Sequence, residues 1–81
     1  MPNVATNSRA ADREEVLAAL RRQGRALVEW RPLRLFGRPL RPHERLRLRR
    51  ALADLAAAGE VALVRQYGRR LSHVLINRVH A

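Results

Sequence analysis

The 81-residue chain has no cysteine, three aromatic residues, four glycines and seven acidic side chains, and all 17 of its basic Lys/Arg positions are arginine. Without cysteine there is neither a disulfide framework nor a thiolate metal site, so the core must rest on apolar burial. No run approaches the roughly 20 apolar residues needed to cross a bilayer. Residues 1–11 are small and polar, with no hydrophobic stretch of the secretory kind, so the expected location is cytoplasmic. Catalytic constellations are equally scarce. The serines are Ser8 and Ser72, and His43, His73 and His80 fall at no metal-binding spacing. Ser72 and His73 are neighbours; on a strand they point to opposite faces, which excludes a direct nucleophile–base pair. The scattered glycines form no phosphate-cradling loop. These absences predict no enzyme, no cofactor, no metal site and no small-molecule pocket.

What the chain does have is charge. Its net charge is +10, a field that favours polyanions, nucleic acid first and anionic membrane second. A hydrophobic content of 47% argues against a disordered basic tail. The length suits one small domain. Such a domain buries only about 60% of its unfolded surface, so the core should be thin. Arginine without lysine, beside abundant leucine and alanine, also fits a GC-rich coding sequence. Net charge therefore weighs more than the identity of the base.

Along the chain, residues 1–11 read as a flexible N-terminal arm. Asp12-Arg13-Glu14-Glu15 has the form of an acidic N-cap with glutamate three residues on. Val16, Leu17 and Leu20 follow, and Arg21-Arg22-Gln23-Gly24 is a stop signal, giving a first helix over about 12–23. Residues 25–30 read as a brief strand or an extended link. The segment 31–41, punctuated by Pro32, Gly37 and Pro39, admits a single-turn helix near 32–36 or an ordered apolar loop. Pro42 suits a first helical position, with Glu44 in the first turn. Leu48, Ala51, Leu52 and Leu55 share one face, and Gly59 closes a helix over about 42–58. Two runs rich in β-branched residues, 61–66 and 69–76, flank Tyr67-Gly68 as a β-hairpin. Residues 77–81 form a short C-terminal tail.

The run Arg49-Arg-Ala-Leu-Ala-Asp-Leu-Ala-Ala-Ala-Gly-Glu-Val61 is similar to the close of the recognition helix in bacterial winged helix-turn-helix regulators. Arg65-Gln-Tyr-Gly-Arg-Arg-Leu-Ser-His-Val-Leu-Ile76 resembles their wing. The resemblance spans residues 12–76. It implies a small α+β winged helix-turn-helix domain: helix, short strand, short second helix, long recognition helix, hairpin wing. Pro32, Gly37 and Pro39 interrupt the amphipathic pattern usual for the family's second helix. The implied function is sequence-specific binding of double-stranded DNA in transcription regulation, with a homodimer on a two-fold site left open.

The residues themselves point the same way. With Leu48, Leu52 and Leu55 inward, His43, Leu46, Arg47 and Arg50 fall on the far side of the 42–58 helix, flanked by Arg49. A basic outer face near the start of a helix suits the major groove. The hairpin tip adds Arg65, Tyr67, Arg69 and Arg70, placed to grip phosphates or enter a minor groove. Arg41, with Arg31, Arg34 and Arg38, frames the middle segment. The expected DNA-binding set is therefore Arg41, His43, Arg47, Arg49, Arg50, Arg65, Tyr67, Arg69 and Arg70. Leu46 sits opposite the core stripe, where packing under residues 33–40 or contact with a thymine methyl are the two readings. Trp30 and Phe36 are expected as core anchors. Two other functions fit the same composition: a winged-helix module docking an acidic protein partner, and a small basic RNA-binding protein.

Overall fold

The computed structural model describes residues 4–77, with side chains from residue 9 onward. Helix α1 runs over Val4–Arg21, strand β1 over Leu27–Glu29, helix α2 over Pro32–Phe36 and helix α3 over Pro42–Ala57. Strands β2, Val61–Gln66, and β3, Arg70–Ile76, follow. The three strands form one antiparallel sheet in the order β1-β3-β2. The result is a small α+β unit in which helices cover one face of a three-stranded sheet.

Helix α1 begins earlier than its sequence signal. Residues 4–11, expected to belong to a flexible arm, already lie in the helix, and Asp12 is not its cap. No glycine or proline interrupts the chain between Val4 and Gln23, so nothing local forces a start at Asp12. Asp12 instead sits buried in the middle of α1, where its Oδ1 accepts a hydrogen bond from Arg47 Nε of α3 at 3.0 Å. One turn earlier, Arg9 Nη2 donates to both carboxylate oxygens of Asp54 at 2.9 Å. The first half of α1 is thus held laterally against α3 by ion pairs rather than capped from within.

Between β1 and α3 the helical alternative holds. Arg31 is extended (φ −128°, ψ 96°), as the residue before a proline prefers, and Pro32 opens the helix. Gly37 ends it in the left-handed region (φ 71°), its N–H donating to Leu33 O at 3.0 Å. Pro42 opens α3 in the same manner, and the Glu44 carboxylate accepts the Arg41 backbone N–H at 3.0 Å. At its far end Glu60 N–H reaches back to Leu55 O at 2.9 Å, closing α3 around Gly59.

Val16, Ala19 and Leu20 of α1, Leu48, Ala51, Leu52 and Leu55 of α3, and Val28, Val61, Leu71 and Val74 of the sheet form the core with Leu35 and Leu40. Trp30 and Phe36 pack at its margin, edge to face with centroids 6.2 Å apart, as core anchors should. The ladder between β2 and β3 slips by one residue. Val64 pairs with His73 and Arg65 with Leu71, leaving Ser72 unpaired as a β-bulge. The slip lets Leu71 and Val74, three apart, both face the core.

Candidate nucleic-acid interface

The arginines divide into two populations. Those near the body of the fold are taken up by carboxylates: Arg9 and Arg13 by Asp54, Arg47 by Asp12, Arg31 by Glu29, and Arg38 by Glu44 with Glu15 more distant. The second population makes no ion pair among the described residues; apart from Arg21, Arg22, Arg25 and Arg34, it occupies two places. One is α3 and its start, with Arg41, Arg45, Arg49 and Arg50. The other is the hairpin tip, with Arg65, Arg69 and Arg70. All seven are exposed.

The helical repeat explains the first cluster. With Leu48, Leu52 and Leu55 buried, Arg49 and Arg50 stand outward on α3 and His43 lies exposed one turn or more before them. Arg41 is placed beside them as the N-cap residue. Arg47 departs from expectation. It lies on the flank facing α1, and its guanidinium is engaged by buried Asp12 rather than turned outward. Sequence alone did not signal this, because its partner is 35 positions away. Arg45 was missed for the opposite reason. It lies on the other flank, with Arg49, around a hollow of about 50 Å³ formed with Trp30, Pro32, Leu40 and Leu48. The i, i+4 spacing of Arg45 and Arg49 was the available signal.

Leu46 does not pack beneath residues 33–40. It is 72% exposed, on the same outward face as Arg50. An isolated apolar side chain among cations has no folding role there.

Glu44 holds the start of α3 in place. Its carboxyl lies below the ordinary glutamate range, first because it accepts the Arg41 backbone N–H and then because the Arg38 guanidinium bonds it at 2.8 Å. That carboxylate takes up Arg38 and leaves Arg41 and Arg45 without an acidic neighbour of their own.

At the hairpin tip, Tyr67 and Gly68 both take positive φ, 52° and 79°. Glycine adopts this readily; tyrosine does so at a cost. The Tyr67 side chain is 97% exposed, so it returns nothing to the core for that cost. Arg65 Nη1 donates to Arg69 O at 3.1 Å, bracing the turn. Arg69 and Arg70 project beyond it.

The bulge overturns one exclusion. Because Ser72 is the extra residue, it and His73 share the outer side, with His73 Nδ1 3.0 Å from Ser72 Oγ. The hydroxyl also lies 3.2 Å from Val64 O, so it donates either to that carbonyl or to Nδ1 according to the tautomer of the imidazole. Among the described residues no group of three metal-ligating side chains gathers, and no helix is long and apolar enough to cross a membrane. His80 lies outside the described residues.

A second concavity, of about 380 Å³, lies away from these clusters, between the α1–β1 turn, β1 and α2. No local motif marks it, and the expectation was of no small-molecule pocket. Compared with family models, curated proteins and solved structures, the chain finds no match in any of the three.

Proposed function

We propose that this chain is a winged helix-turn-helix domain that binds double-stranded DNA and serves transcription regulation. The observation that carries the reading is the segregation of charge. Seven exposed arginines without carboxylate partners lie on α3 and the hairpin tip, against four elsewhere (Arg21, Arg22, Arg25 and Arg34), while Asp12, Asp54 and Glu44 are engaged by other arginines. The element order α1-β1-α2-α3-β2-β3 and the glycine-bearing connection from α2 to α3 support it, being the layout of a helix-turn-helix followed by a wing. In this reading the N-terminal half of α3 enters the major groove. Arg49 and Arg50 face base edges, with Leu46 available to a thymine methyl. Arg41, Arg45, Arg65, Arg69 and Arg70 seat on phosphates and fix the register. Tyr67 meets the backbone or the minor groove. No bond is made or broken; occupancy is the mechanism.

Fluorescence anisotropy on a library of duplexes, followed by selection of bound sites, tests the proposal. Arg50→Ala should relax sequence preference, whereas Arg69→Ala should weaken all duplexes alike and lower the salt dependence. Failure of the native protein to bind random duplex at low salt, where arginine–phosphate attraction is strongest, overturns the reading.

A further inference from the structure

We infer that the free edge of β1 is a docking site for an acidic peptide segment in extended conformation, separate from the arginines of α3 and the hairpin tip. The inference does not rest on the DNA reading. Strand order places β3 on one side of β1 and, among the described residues, no strand on the other. Ile76 N–H donates to Ala26 O at 2.7 Å and Trp30 N–H to Ser72 O at 2.8 Å, which fixes the alternation of this pair. Residues 26, 28 and 30 bond to β3, so the main-chain groups of Leu27 and the N–H of Glu29 point away from it. They point toward the groove of about 380 Å³ that is lined by Gln23, Arg25, β1, Arg31, Arg34 and Leu35.

Two features specify the occupant. The groove presents main-chain donors and acceptors along a strand edge, which an extended peptide matches and a nucleic-acid backbone does not. Its side walls carry Arg25 and Arg34, both exposed and without an ion pair among the described residues. Arg31, also on the wall, is already held by Glu29 at 3.0 Å. Alternate side chains of an added strand point to the same face, so acidic residues at every second position reach this pair of guanidinium groups. A second copy of the chain fits poorly, since each copy brings a charge of +10. Its densest acidic run, Asp12 to Glu15, is locked in α1.

The probe is a short fluorescein-labelled peptide alternating glutamate and valine, titrated with the full chain and followed by anisotropy. Saturable binding should weaken by about tenfold or more in the Arg25→Glu/Arg34→Glu variant, as expected of a groove contact made through charge-assisted bonds. It should change by no more than about twofold in Arg49→Glu/Arg50→Glu, which shifts overall charge equally. A fully backbone-N-methylated peptide of the same sequence keeps its charge and loses its donors; on the native protein it should bind about tenfold more weakly. Equal binding of the methylated peptide, an equal loss in the α3 variant, or no binding of the plain peptide overturns the inference. Duplex binding of the same two variants is measured beside it. The DNA reading predicts loss in the α3 variant only, so the two proposals fail separately.

Discussion

Tyr67 is placed where the backbone does not favour it and where the core does not use it. Left-handed backbone costs a non-glycine residue about 1–2 kcal/mol, and an aromatic ring open to water recovers none of it. Such a residue is better explained by what it contacts outside the fold. Tyr67→Gly should therefore raise stability by up to about 1 kcal/mol in urea denaturation and weaken duplex binding at the same time. A variant that is destabilised, or binds DNA as tightly as the native chain, contradicts this account. Glu44 supplies the opposite case, a side chain whose charge serves the fold. Its carboxyl is lowered in the folded state, so its contribution is full above the ordinary glutamate range and fades as pH falls through its folded value. Glu44→Gln should be less stable than the native chain at neutral pH, and the gap should close on acidification. Thermal unfolding at neutral and acidic pH checks the sign; a gap independent of pH removes the charge from the explanation.

At the scale of elements, α3 and the hairpin were legible because their signals are local. Leu48, Ala51, Leu52 and Leu55 recur at helical spacing, Gly59 stops the helix, and Tyr67-Gly68 turns the chain. The start of α1 was not legible. Asp12 and Glu15 imitate a capping box, while the true partner of Asp12 is on another helix, at Arg47. Long-range ion pairs leave no periodic trace, so the same blind spot hid the helical reach back to Val4 and the engagement of Arg47 by Asp12. The bulge at Ser72 was hidden for a related reason: a strand's pattern does not reveal where its neighbour skips a residue. The pairing of α1 with α3 has a measurable size. A double-mutant cycle on Arg9→Ala and Asp54→Ala should give a coupling of about 0.2–1 kcal/mol, falling as salt is raised, because both side chains are partly exposed. No coupling at low salt would mean that helix propensity alone holds the first half of α1.

For the whole molecule, the count of 17 arginines overstates the cations on offer to a partner. Arg9, Arg13, Arg31, Arg38 and Arg47 are spent on the protein's own carboxylates. If all seven unpaired arginines of α3 and the hairpin tip seat on phosphates, the logarithm of the DNA association constant should fall against the logarithm of salt with a slope of about −6. A slope near −2 would leave most of them unused and confine contact to one cluster.

The slipped register of β3 carries a consequence for how this chain tolerates change in length. In a regular strand an added or lost residue reverses every side chain beyond it. Here the extra residue is already absorbed, and Leu71 and Val74 keep their places in the core because Ser72 stands outside the alternation. Against β2, removing Ser72 would restore an uninterrupted ladder with Leu71 still inward and Arg70 still outward. The same residue is not spare on the other side of the strand, where its carbonyl accepts the Trp30 N–H at 2.8 Å, so the β1 ladder holds in place the residue that the β2 ladder skips.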